Sequence, residues 1–169
     1  TFAAMSAPVV SLDVPGGSIR QTGPITTAQL KTSSASGTEL TDAGNRINSF
    51  EAGNSGLGDI ALVNTGDLRL LGVVNQDSNI RVDNTGRTVT VGAINAPRGT
   101  VTLRANSPLT IGPGGVTSSG NIGLSASNRT SAGDLTLEGD VVSTRGAIVI
   151  NAGHDLVQNS RVSGALGVT

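Results

Sequence analysis

Six segments of the chain, at 58–62, 78–82, 99–103, 120–124, 146–150 and 164–168, share one pattern: a small residue, any residue, an apolar residue, any residue, an apolar residue. Their first apolar positions are Ile60, Ile80, Val101, Ile122, Ile148 and Leu166, in steps of 20, 21, 21, 26 and 18. Small residues follow at a fixed offset: Asn64, Asn84, Ala105, Ala126 and Ala152. A second apolar pair comes later in each unit, at Leu68/Leu70, Val89/Val91, Leu109/Ile111 and Leu135/Leu137, whereas the fifth unit offers Leu156 with Gln158. A third anchor is Val73, Ile94, Val116, Val141 and Val162. The 26-residue step contains one insertion, Asn128-Arg129-Thr130-Ser131-Ala132, and returns to register once about five residues are removed.

Apolar residues alternating with period two mark strands with one buried face. Three short strands per unit of about 20 residues, joined by Gly, Asn and Asp turns, describe one coil of a parallel β-helix. The expected fold is therefore all-β: a parallel β-helix (solenoid) of about eight coils, roughly 40 Å long at about 4.8 Å per coil. Right-handed winding follows from the handedness of parallel crossovers. A sandwich would also space short strands regularly, but would not place one residue class at one phase of every unit. The core expected from the first pair is Ile60, Leu62, Ile80, Val82, Val101, Leu103, Ile122, Leu124, Ile148 and Ile150. Residues 58–169 form the regular coils, with the insertion at 128–132. Residues 1–57 read as looser coils with Ser/Thr/Gly-rich loops, Thr32 to Thr38 being one of them.

Composition supports a narrow core. Of 169 residues, 24 are glycine, about twice the usual share. Aromatics are limited to Phe2 and Phe50, so Val, Ile, Leu and Ala must fill the interior. With 11 basic against 12 acidic residues and Lys31 the single lysine, no basic patch for nucleic acid is expected. Cysteine is absent, which excludes disulfides, thiol catalysis and thiolate metal sites. No apolar run approaches the length of a membrane-spanning helix. The chain opens at Thr1 without a charged-then-apolar leader, as an excised or processed segment would.

The stretch Gly44-Asn45-Arg46-Ile47-Asn48-Ser49-Phe50-Glu51-Ala52, continuing to Gly58-Asp59-Ile60-Ala61-Leu62-Val63-Asn64, resembles the repeat region of filamentous-haemagglutinin-like exoproteins. Ser131-Ala132-Gly133-Asp134-Leu135-Thr136-Leu137 and Ala152-Gly153-His154-Asp155-Leu156 are similar to the same repeats. The likeness runs from Ile25 onward. It implies an adhesin of Gram-negative two-partner secretion, exported through an outer-membrane partner transporter and folding at the cell surface or outside the cell into a right-handed β-helix. The Asn-Pro-Asn motifs of that family's secretion domain do not occur here, which implies a stalk segment. Glycans, biofilm-matrix polysaccharide or a host surface are the partners the resemblance implies.

Five features compete as sites. His154 beside Asp155 is the one imidazole–carboxylate neighbour pair, but a dyad needs a nucleophile and a cleft. Asp155 shares its phase with Asp67 and Asp134, each just before a leucine, which reads as a turn residue capping the backbone. A polysaccharide-cleaving β-helix would cluster its carboxylates; Asp59, Asp67, Asp77, Asp83, Asp134, Asp140 and Asp155 are instead scattered one or two per coil. Calcium-binding nonapeptides fail at Gly114-Gly115-Val116, so neither metal nor cofactor is expected. Between the second-pair residues, Arg69, Thr90, Thr110, Thr136 and Val157 read as an outward row whose three threonines are candidate surface contacts, although threonine is also simply a good outward strand residue. Asn128, Arg129 and Thr130 form the one N-x-Ser/Thr site, in the insertion, and are candidate loop contacts. The expected function is thus a non-catalytic structural or adhesive stalk. A self-assembling filament subunit, stacking end to end on its own copies or on neighbouring repeats, is the second reading, and a polysaccharide-cleaving enzyme the third.

Overall fold

Alternation decides which side chains point inward, and stacking decides what they meet. The computed structural model describes residues 1–129 and 131–169, which wind as eight coils of a parallel β-solenoid. The first four coils are β1 (Met5–Ser6), β2 (Val9–Val14) and β3 (Ile19–Arg20); β4 (Ile25–Ser34) and β5 (Thr38–Leu40); β6 (Arg46–Asn54) and β7 (Ile60–Asn64); β8 (Leu68–Asn75) and β9 (Ile80–Asn84). The next two are β10 (Thr88–Thr90), β11 (Ile94–Ala96) and β12 (Val101–Ala105), then β13 (Leu109–Ile111), β14 (Val116–Ser118) and β15 (Ile122–Ala126). The last two are β16 (Leu135–Leu137), β17 (Val141–Ser143) and β18 (Ile148–Ala152), then β19 (Leu156–Gln158) and β20 (Val162–Gly164).

Every strand pair is parallel, and each strand bonds to its counterpart one coil away. One sheet runs β3-β5-β7-β9-β12-β15-β18, and a second takes the remaining strands. In β4, β6 and β8 the second sheet's strands are long and continuous; from the fifth coil onward each divides in two. β8 makes the transition, pairing through Leu68–Leu70 with β10 and through Val73 and Val74 with β11. Leu71 is an extra residue there, since Phe50 pairs with Leu70 but Glu51 with Gly72. The break widens in the next coils, where Gly112-Pro113-Gly114 offers no ladder donor at Pro113.

The column Ile60, Ile80, Val101, Ile122 and Ile148 is continuous, each residue the register partner of the next. Leu62, Val82, Leu103, Leu124 and Ile150 form a second column; all ten are buried except Ile150, which packs against the core half-buried in the last intact layer. The third anchor stacks likewise, Val73 on Ile94, Val116, Val141 and Val162. Such columns bury apolar area in proportion to the number of coils, about 25 cal/mol per Å².

Three expectations are corrected. The sixth member of the first column is Val168, which bridges to Ile148, while Leu166 is 75% exposed in the turn before it. Thr32, Ser33 and Ser34 are not loop but the end of β4, and only 35–37 form the turn. Thr90 does not point outward: Thr88 and Thr90 are buried, stacked between Leu68/Leu70 and Leu109/Ile111, and Val89 takes the outward place. The sequence Thr88-Val89-Thr90-Val91 alternates in either phase, and the neighbouring strands decide it. Burial is tolerated because both hydroxyls are bonded: Asn84 Nδ2 donates to Thr88 Oγ1 at 3.0 Å and the Gly112 amide to Thr90 Oγ1 at 2.9 Å.

Two inner columns are polar in the first half and apolar or small afterwards. Asn64 Nδ2 donates to Asn84 Oδ1 at 3.1 Å, and the same column continues as Ala105, Ala126 and Ala152. Ser34, Asn54 and Asn75 stack at another corner, with Ser34 Oγ donating to Asn54 Oδ1 at 3.1 Å and Asn54 Nδ2 to Asn75 Oδ1 at 3.0 Å. These amides satisfy backbone groups where the chain turns, which strand ladders cannot reach. At that corner Gly37 and Gly58 have φ of +96° and +114°, and a Cβ on Gly58 would lie 2.4 Å from the Ser36 carbonyl oxygen.

Candidate functional site

The inward positions are taken by buried aliphatic and polar side chains, so function is sought on the corners and outward rows. At the corners, an Asp or Asn carboxyl or amide oxygen accepts the backbone N–H of the equivalent residue one coil on. Asp59 Oδ1 takes the Asn79 amide at 3.0 Å, and Asn79 Oδ1 takes that of Thr100 at 3.0 Å. Asn121 Oδ1 accepts from Ala147 at 2.9 Å. On the other corners Asp67 accepts from Arg87 at 3.2 Å, Asp134 from Asp155 at 3.2 Å and Asp140 from Arg161 at 3.1 Å. The phase shared by Asp67 and Asp134 is thus a capping phase, but the cap spans two coils. The signal in the sequence is an Asx residue just before an inward strand start; it marks a backbone acceptor, and only stacking shows that the bond spans two coils.

His154 belongs to this corner. Its Nδ1 lies 2.8 Å from Asp134 Oδ1 and 3.4 Å from Asp155 Oδ2. The hydrogen bond to Asp134 raises the imidazole pKa above its ordinary value, with the Asp155 charge adding to it. The same bond, followed by the Asp155 amide, lowers the Asp134 carboxyl. Asp134, His154 and Asp155 each have one ligand atom within 4.8 Å of the others, the right donor types for a divalent cation. Yet Asp134 Oδ1 is already engaged by the ring and the amide. The arrangement is fully described as a cap with a histidine laid over it.

Asn128, at the start of the insertion, packs onto this corner. Ala126 and Leu135 are nine residues apart where Ala105 and Leu109 are four apart, and the extra chain includes a 3₁₀ turn at Ser131–Gly133. The Asn128 carbonyl lies against Gly133 and Gly153, so close that a Cβ on Gly153 would come within 1.9 Å of it. Asn128 is partly buried and Arg129 exposed; Thr130, the third of the candidate loop contacts, lies outside the described residues. Of the threonine row, Thr110 and Thr136 are register partners and face outward half-buried, in a row that reads Arg69, Val89, Thr110, Thr136 and Val157. With Thr90 inside, two consecutive hydroxyls remain where three were expected.

Ion pairs line both sheets, most of them between successive coils. Arg20 binds Glu39 at 2.6 Å, Lys31 binds Glu51 at 2.8 Å, and Arg81 and Arg104 both reach Asp83, at 2.5 and 3.7 Å. Arg98–Asp77 and Arg87–Asp67, at 2.5 and 3.3 Å, join turns. Exposed pairs of this kind contribute little stability individually, and act chiefly to neutralise the surface. No helix among the described residues is long and apolar enough to cross a membrane. No protein-family model matches this chain, and comparisons with curated proteins and with solved structures found no match.

Proposed function

We propose that this chain is a structural and adhesive stalk segment of a large secreted bacterial surface protein, holding a more distal part away from the cell and offering its flanks to matrix or host polymer. The observation that carries the reading is the unbroken stack. Apolar columns run from coil to coil, and corner caps tie successive turns. Such a stack resists bending because each coil is bonded along its whole perimeter to the next. The resemblance of the repeat sequences to filamentous-haemagglutinin-like exoproteins supports export by a partner transporter of a Gram-negative outer membrane. The corner carboxylates serve as backbone acceptors, which favours a non-catalytic role.

A second reading is end-to-end assembly of copies, since the parallel ladder that joins one coil to the next is the same at every step and can pair coils of separate chains. Electron microscopy across a concentration series separates the two. Uniform rods roughly 40 Å long at every concentration, with immobilised protein retaining polymer-coated beads, support the stalk; fibres that lengthen with concentration support assembly. A fall in polysaccharide viscosity that disappears in His154→Ala or Asp155→Ala protein would overturn both in favour of cleavage.

A further inference from the structure

Six basic residues lie on strands: Arg20, Lys31, Arg46, Arg69, Arg81 and Arg104. Four have acidic partners one coil away or beside them. Arg46 and Arg69 have none among the described residues, and they sit on β6 and β8, which are hydrogen-bonded neighbours. Asp67, the carboxylate nearest Arg69 in sequence, is held by the Arg87 guanidinium and the Arg87 amide, and Asp42, the nearest to Arg46, accepts the Gly44 amide. Two uncompensated guanidiniums therefore share one outer face of a chain whose net charge is −1.

That face is also hollowed. One depression, about 430 Å³, is lined by Asn48, Asp67, Arg69, Arg87 and Val89; a second, about 400 Å³, by Arg46, Asn48, Thr26 and Pro8 among others. Asn48 lines both, so the two depressions adjoin across neighbouring strands, and a polymer laid over both would follow them as a trough. Ser49 is the register partner of Arg69, which places Arg46 three residues further along its strand. At strand dimensions of about 3.3 Å per residue and 4.8 Å between strands, the two positions are roughly 11 Å apart, an oblique path of about two pyranose rings.

We propose that this trough binds a uronate-bearing polysaccharide, with Arg46 and Arg69 each taking a carboxylate two sugars apart, Asn48 bonding the hydroxyls between them and Val89 lying under a ring face. Guanidinium matches carboxylate bidentately, which favours uronate over neutral sugar. The inference deepens the adhesive reading by naming the polymer's chemistry, and it rests on that reading.

The test is affinity electrophoresis and calorimetry of the whole chain with polygalacturonate, with neutral dextran and dextran sulfate as comparisons. The Arg46→Gln/Arg69→Gln protein is set against Arg81→Gln/Arg104→Gln, which removes the same charge from the opposite sheet. Polygalacturonate binding absent with dextran, weakened at least tenfold by the first pair of substitutions, unchanged by the second and reduced by salt, supports the trough. Equal loss in both variants, equal or tighter binding of dextran sulfate, or no preference over dextran overturns it. Circular dichroism of both variants distinguishes lost binding from lost fold. If Arg46→Gln/Arg69→Gln rods still retain polymer-coated beads, the trough fails while the stalk reading stands.

Discussion

Replacing Asn54 by alanine tests whether the inner amide columns hold the coils in register. Asn54 is 2% exposed and its side chain makes five hydrogen bonds. Its Oδ1 accepts from the Gly37 amide at 2.9 Å and from Ser34 Oγ; its Nδ2 donates to the Gly56 and Gly58 carbonyls, at 2.6 and 2.8 Å, and to Asn75 Oδ1. After truncation Gly58 O keeps a donor in Asn75 Nδ2, and Ser34 Oγ keeps Thr38. The buried Gly37 amide and Asn75 Oδ1 are left without their partner. Two unsatisfied buried groups at about 1–3 kcal/mol each, with a small cavity, give a loss of about 3–5 kcal/mol. Because coils couple only to neighbours, the damage should be local. Urea unfolding followed by amide hydrogen exchange reads both quantities. The expected result is a lowered midpoint, with protection lost first at Gly37, Thr38 and Gly58 and retained near Ile122 and Leu135. A loss under about 1 kcal/mol, or uniform loss of protection along the chain, would refute the reasoning.

Three further outcomes follow from individual side chains. Thr32 Oγ1 is buried without a hydrogen-bond partner, so Thr32→Val should stabilise by about 1 kcal/mol in urea unfolding. Thr90→Val removes the 2.9 Å acceptor of the Gly112 amide and leaves it the Thr90 carbonyl at 3.2 Å, which should cost about 1 kcal/mol, whereas Thr110→Val on the outer row should stay within about 0.3 kcal/mol; equal effects would mean that the inward assignment of Thr90 is wrong. His154 is the single histidine, and its bond to Asp134 raises its pKa above the ordinary 6.5. The stabilisation it contributes is therefore full below that value and lost as pH rises through the raised one, while the share owed to the lowered Asp134 is lost in acid. Titration by NMR should show the raised pKa, and Asp134→Asn should return it towards 6.5.

The sequence made the fold legible because stacking repeats one constraint in every coil. Aliphatic residues recurring at the phase of Ile60 and Ile80 have no explanation other than columns, and the columns are there. What misled was polar residues doing an apolar residue's job. Thr88 and Thr90 occupy core positions, and valines beside them offered the opposite phase. Thr32, Ser34 and Thr38 looked like loop because hydroxyls and small residues dominate turns, yet all three point inward. Ser34 is bonded to Asn54, a partner one coil away that local pattern cannot find. The same holds for the trough. Arg46 and Arg69 stand 23 residues apart in sequence and acquire meaning only when β6 lies against β8 and the other strand cations are seen to be neutralised.

The exchange of asparagine for alanine along the inner columns separates two ways of building the same rod. In the first coils Asn45, Asn54, Asn64, Asn75 and Asn84 are buried and bonded to turn carbonyls, to backbone amides or to one another. From the fifth coil the equivalent places hold Ala96, Ala105 and the buried serines Ser118 and Ser143, so the turns there rely on small hydroxyls and on the outside caps that run through both halves, as at Asp67, Asp134 and Asp140. An internal amide must be desolvated and leaves orphaned partners if lost, so it enforces register strongly but tolerates no change. An external carboxylate is readily replaced, as Asp59, Asn79 and Asn121 already illustrate in the corner before the other sheet. Insertions should then be admitted more easily where alanine and serine replace the inner amides, and the insertion at 128–132 falls in that half, directly before the Asp134 cap.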